Sequence, residues 1–310
     1  MYTPVSPFER IKAFFRSPSA LPRLILINIT VWVAITFVGV IAFLFTQPGY
    51  DPHALFNALI IKWLAVPANI EVLTSKPFTL LTYMFLHVDF LHLLFNMLWL
   101  FWFGKIFLEY LNKRQLVFTY ITGGLAGAML YILFYNVFPV FQQILNESVA
   151  LGASASVLAI VVAIAFYVPN YTMYLLFLGP VKIKYIAIIS VVVDFLMIKS
   201  GNAGGHIAHL GGALWGFLFI RILKNGGYDL SAIFKNLSIT RLSGFFGLRR
   251  KNKFKKVYTA GKPLTDEEYN YKRAEKQRMI DAALEKIKHS GYESLTREEK
   301  DFLFNNSKKN

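Results

Sequence analysis

The chain has 310 residues, of which 55% are hydrophobic and 16% charged, with a mean hydropathy of +0.45. A soluble domain carries about a quarter charged residues, so the composition excludes an ordinary water-soluble enzyme. Cysteine is absent, which rules out a disulfide framework. The formal net charge is +15, and residues 221–310 hold 21 Lys/Arg against 11 Asp/Glu. Such a balance suits nucleic acid in a soluble protein. Beside apolar spans it suits cytoplasmic charge facing anionic lipid. Membrane lipids are therefore expected partners, and nucleic acid is not.

A spanning helix needs roughly 20 mostly apolar residues. Residues 24–50, 115–146, 148–181 and 200–220 contain no Asp, Glu, Lys or Arg; 77–104 carry only Asp89, and 185–198 only Asp194. Six spans are predicted, near 24–46, 84–106, 115–137, 150–168, 181–199 and 203–223. The fold class is an all-α polytopic membrane protein: a tail over 1–21, a six-helix membrane domain over 22–223, and a soluble basic tail over 224–310. The first apolar run is too long for a signal-peptide core and reads as a retained span. Arg10, Lys12, Arg16 and Arg23 precede it; Lys105, Lys113 and Arg114 follow span two; Lys182 and Lys184 precede span five. The opposite connections are poorer in positive charge. Both termini are therefore expected in the cytoplasm.

In the first loop, 47–83, the spacing of Leu55, Leu59, Ile60, Trp63 and Leu64 predicts an amphipathic segment lying in the outer interface. Span two places His92 and Asn96 one turn apart on one face. Polar side chains in a bilayer are costly and face the protein interior. Span four opens on Gly152-Ala153-Ser154 and carries a stripe of Ala155, Ala159 and Ala163. Span six presents Gly205, His209, Gly212 and Gly216 on one face. Small residues at four-residue spacing let membrane helices meet backbone to backbone. Ser154 stands 15 residues before Pro169, and His209 15 before Lys224. Equal rise per residue puts both at one depth, toward the outside. A hydroxyl and an imidazole at one level are the parts of an acyl-transfer site. The Asn96 amide, the His92 ring and the Ser154 N–H are candidate donors to its oxyanion.

Rival assignments are weaker. His206 lies a turn nearer the outer surface than His209. Ser156 is rotated about 200° from Ser154, and Ser148 lies in the preceding loop. Asp194 is the acid best placed to complete a triad, yet nothing in the sequence links it to His209. His206 and His209 are three apart, but no H-E-x-x-H and no carboxylate accompany them on that helix. No metal and no cofactor are expected. Asp89 and Asp194 lack the context of a paired aspartyl site. In the tail, residues 249–256 form a basic cluster, Thr265/Glu268 and Thr296/Glu299 read as capping boxes, and Gly291 ends a helix beginning near Asp266.

The elements His87-x4-His92-x3-Asn96, Gly152-x-Ser154 and Ala208-His209-x2-Gly212-x3-Gly216 occur in that order on spans two, four and six. Together they resemble the rhomboid family of intramembrane serine proteases, over roughly residues 22–223. The resemblance implies a six-helix protease with a Ser-His dyad and no third carboxylate. Ser154 would be the nucleophile and His209 the general base. His92, Asn96 and the Ser154 amide would form the oxyanion hole. Gly152, Ala155, Gly212 and Gly216 would pack beside the site, and span five would be a lateral gate. Membrane-protein helices would be the substrates, cut near the outer side of the bilayer, in what is expected to be a bacterial inner membrane. A non-catalytic relative that grips transmembrane helices is the alternative. Three positions depart from the family pattern. Ala155 stands where Gly is frequent, Leu158 where an aromatic often stacks on the histidine, and Phe78-Thr79 where a Trp-Arg pair is common.

Overall fold

The computed structural model describes residues 6–17, 19–47, 50–51, 54, 56, 60–175, 179–199, 201–235 and 266–307. The chain divides into two compact units, 1–246 and 247–310. The basic cluster at 249–256, Thr265, Leu55 and Leu59 lie outside the described residues.

Unit one opens with α1 (Pro7–Arg16), capped by Ser6, whose hydroxyl accepts from the Glu9 N–H at 3.2 Å. Helices α2 (Ala20–Leu44), α4 (Phe90–Tyr110), α5 (Lys113–Val137) and α8 (Ala203–Gly226) are long and apolar enough to cross a bilayer. Between α2 and α4 lie a short strand β1 (Val66–Pro67) and α3 (Ile70–Ser75). Strand β2 (Val149–Ala150) pairs antiparallel with β1, Val66 opposite Ala150. Helices α6 (Ser154–Tyr167) and α7 (Ile183–Leu196) have 14 residues each. Strands β3 (Thr172–Leu175) and β4 (Gly179–Lys182) pair antiparallel between them. The chain is thus a helical multi-pass membrane protein, and two small strand pairs are the additions to the expected all-helical pattern.

The helix bounds differ from the predicted spans for local reasons. Span two was expected from residue 84, but α4 begins at Phe90. The Asp89 carboxylate caps it by accepting from the His92 N–H at 2.9 Å. This leaves His87 in a turn before the helix. Span four was expected from residue 150, but Gly152 at φ +120° breaks the chain there and α6 starts at Ser154. Such a φ is open to glycine at little cost. Fourteen residues rise about 21 Å against a hydrocarbon core of about 30 Å, so α6 is short for a full span.

α6 is the centre of the bundle: every residue from Ala155 to Ala165 is buried. A helix apolar on all sides belongs inside. It packs most extensively against α8 and α5. A methyl added to Gly212 would collide with the Ala155 carbonyl, and one added to Gly216 with the Ala159 carbonyl. The expected backbone-to-backbone contact of the glycine and alanine stripes is therefore present. Lys224 donates to the carbonyls of Phe166 at 3.2 Å and Tyr167 at 2.8 Å, capping the C-terminal end of α6 and levelling it with α8.

The first loop is tied down without a Trp-Arg pair. Lys76 sits 4.4 Å over the Trp63 ring and donates to the Lys62 carbonyl. The Thr82 hydroxyl donates to the Leu64 carbonyl at 2.7 Å. Buried Asn28 donates to Tyr120, whose hydroxyl donates to the Met84 carbonyl. After α8, residues 230–235 fold back on α5: Arg114 pairs with Asp229 at 2.6 Å, and Phe234 meets Phe118 edge-on at 5.3 Å. Unit one therefore extends past residue 223, the end expected for the membrane domain.

Unit two contains α9 (Asp266–Ser290) and α10 (Arg297–Ser307), with Ala283 and Leu295 buried. Gly291 at φ +76° follows α9, as its position suggests. The Thr296/Glu299 capping box forms: Glu299 N–H donates to the Thr296 hydroxyl, and Thr296 N–H to the Glu299 carboxylate.

Candidate active site

The turn into α6 positions Ser154. The Gly152 N–H donates to the Tyr83 carbonyl at 2.9 Å, and the Ala153 N–H to the His87 Nε2 at 3.3 Å. His87 is fully buried and thus pins the loop before the serine. Ser154 is then the first residue of α6, where backbone N–H groups have no partner within the helix. The helix dipole adds positive potential at that end.

A β-carbon built on Gly152 would lie 2.7 Å from the His92 ring and 3.7 Å from the Ser154 hydroxyl. Gly152 is therefore the hinge of close approach between the two. The His92 and His87 rings meet edge-on at 5.2 Å. Asn96 is buried and donates to the His92 carbonyl at 2.9 Å, which leaves its second amide hydrogen uncommitted.

Ser154, Asn96, His209 and Asp194 line one cavity of about 290 Å³, walled by Phe95, Trp99, Val157, Leu158, Ser190 and Val193. Nucleophile candidate, base candidate and one oxyanion donor thus line a single cavity, and no hydrogen bond joins Ser154 and His209 among the described residues. Such contacts are often loose in an empty site and tighten around substrate.

Ser156 faces elsewhere. Its buried hydroxyl packs beside Gly124 of α5 and finds no hydrogen-bond partner. Ser148 donates to the Ile144 carbonyl in the loop. The Ala155 methyl sits where three helices meet: a β-carbon built on Gly127 of α5 would lie 2.6 Å from it and 2.7 Å from the Ala208 carbonyl of α8. Leu158 lies on the cavity wall and offers the imidazole neither a ring nor a polar atom.

One contact runs against the sequence reading. Asp194 on α7 is buried, and its Oδ1 accepts from Nδ1 of His209 at 2.8 Å and from Nδ1 of His206 at 2.8 Å. The sequence showed no such link, and a dyad without a carboxylate was expected. The signal was available in the turn. The short connection over 197–202 makes α7 and α8 antiparallel neighbours. Asp194 and His206 each stand six residues from position 200, so they meet at one depth.

Comparison with known proteins agrees with this architecture. Residues 74–226 match the family model of the rhomboid domain. Residues 265–309 match a family of unknown function. RHOMBOID-like protein 12, mitochondrial, of Arabidopsis thaliana is 32% identical over 144 residues, which is 44% of this chain and 43% of that relative. The chain thus spans less than half the length of the curated relative it matches. With its helices, its histidine and serine motifs and these matches, the domain over residues 74–226 belongs to the rhomboid family.

Proposed function

We propose that the chain is an intramembrane serine endopeptidase. The observation that carries this reading is the shared cavity: Ser154 at the start of a buried helix, with His209 and Asn96 lining the same space. Ser154 Oγ attacks a peptide carbonyl while His209 Nε2 takes its proton. The developing oxyanion is stabilised by the Ser154 N–H, the Asn96 amide and the His92 ring. The proton then passes from His209 to the leaving amine, the C–N bond breaks, and water enters to free the acyl group.

The substrates are helices of membrane proteins, unwound near the outer side of the bilayer. Support comes from the shortness of α6, which leaves Ser154 about 9 Å below one face of a 30 Å hydrocarbon core when its other end is level with the opposite face. It also comes from α7, whose Ile188, Ile189, Val192, Phe195 and Leu196 are exposed and suit a lateral gate facing lipid. The positive residues before α2, after α4 and before α7 support cytoplasmic termini.

The test is cleavage of a single-pass membrane substrate in liposomes, together with labelling by a fluorophosphonate. Ser154→Ala and His209→Ala are expected to lower cleavage by about 10³-fold or more while insertion is retained. The probe is expected on Ser154 of the unaltered chain. Cleavage by Ser154→Ala at the unaltered rate would refute the reading. An inserted chain that neither cleaves nor takes the probe would point to a binder of transmembrane helices.

A further inference from the structure

We propose that Asp194 is a positioning residue for His209, completing a Ser154–His209–Asp194 relay whose third member comes from α7. The inference rests on Ser154 and His209 being the reacting pair.

An imidazole base must offer one nitrogen to the serine and keep its proton on the other. The Asp194 carboxylate accepts from His209 Nδ1 at 2.8 Å, which fixes the proton on Nδ1 and leaves Nε2 as the acceptor. The ring needs such a partner here, because Leu158 cannot hold it by stacking. Asp194 is also the polar exception on its helix: the other buried side chains of α7 are Ile183 and Ala187. A carboxylate in an apolar span carries a high desolvation cost, which is offset when it is hydrogen-bonded to a functional group. His206 donates to the same oxygen at 2.8 Å, so a second hydrogen bond holds the carboxylate in place beneath His209. The rings of His206 and His209 stand edge-on at 6.0 Å.

During acylation Nε2 gains the serine proton and the ring becomes a cation. Asp194 stabilises that charge across Nδ1–H and gains no proton itself. The proton on Nε2 goes to the leaving amine, so the relay ends in its starting state.

The same three residues present donor atoms within 4.8 Å of one another, which also suggests a divalent cation. Spacing decides between the two. Two ligands on one tetrahedral zinc at about 2.0–2.1 Å stand about 3.3 Å apart. The observed contacts of 2.8 Å are those of hydrogen bonds.

The experiment compares Asp194→Asn, Asp194→Glu and His206→Ala in the full chain in liposomes, with rates per folded molecule. Asp194→Asn is expected to lower kcat about 10²-fold or more with KM within about twofold, and to slow fluorophosphonate labelling in proportion. Asp194→Glu is expected to recover at least about tenfold of that loss, and His206→Ala to lose less than Asp194→Asn. Unaltered labelling and cleavage by Asp194→Asn would overturn the proposal. So would a rise in KM alone, or an Asp194→Glu chain no faster than Asp194→Asn. Inactivation by EDTA with recovery on zinc would overturn it in favour of a metal. The parent reading fails separately, if Ser154→Ala still cleaves.

Discussion

The two sides of the candidate site are built differently. The serine side is held by backbone: α6 is wedged between α5 and α8, with Gly212 and Gly216 against the carbonyls of Ala155 and Ala159. The α7 side is held by fewer contacts, among them the Asp194 carboxylate that binds both histidines. Its outer face is exposed and apolar. Without a hydrophobic drive between helices in lipid, tight packing must come from close van der Waals contact. The serine helix has that contact on every side. α7 does not, and a shift of α7 away from α8 would break the link between Asp194 and His209. A fixed serine beside a movable wall would suit the proposed activity, which requires a helix to enter from lipid.

If that contrast is real, damage to the α6–α8 seam should be the most severe. Gly216→Val drives a branched side chain into the Ala159 carbonyl. An overpacked core of this kind costs about 3 kcal/mol, and the folded fraction in detergent should fall accordingly, as measured by thermal unfolding. A stable Gly216→Val chain would mean that the seam is looser than it looks. Gly152→Ala comes next. It imposes a side chain at φ +120° and 2.7 Å from the His92 ring. Strain of this sort costs about 1–3 kcal/mol. The displaced ring and serine should cost cleavage more than stability, and equal losses in both would argue that the turn is structural only.

These contrasts also mark what the sequence could and could not reveal. The seam was legible because it depends on residue size at fixed spacing: Gly212, Gly216, Ala155 and Ala159 follow the helical period that brings them together. That Ser154 and His209 share one cavity was legible because equal counts to the C-terminal ends of their helices set equal depth, and Lys224 on the Phe166 and Tyr167 carbonyls makes those ends level. The depth of the Asp194 contact could be counted from the turn, but its facing could not: periodicity within one helix does not say which side meets the next. The pairing of β1 with β2 escaped for the same reason: strands of two residues, 82 positions apart, leave no pattern. Span boundaries shifted where capping and a single glycine torsion overrode the apolar run, at Asp89 and Gly152.

Ala155 tests the seam from the other side. Its methyl meets Gly127 of α5 beside the Ala208 carbonyl of α8, so its removal opens a small gap where the three helices meet. Ala155→Gly should cost about 1 kcal/mol from helix propensity and change cleavage within about twofold. A gain of tenfold in cleavage would show instead that the methyl obstructs the reacting pair.

The smallest effect is expected on the outer face of α7. Ile189 is exposed there, and in a bilayer its neighbour would be lipid. An inserted but unpacked helix keeps the same neighbour, so truncating the side chain removes nothing that folding adds. Ile189→Ala should therefore change stability within about 0.5 kcal/mol, against the far larger loss at Gly216. Thermal unfolding of the two variants in one detergent gives the comparison directly. Equal losses at the two positions would mean that α7 is as firmly seated as α6, and the serine would then have no movable wall beside it.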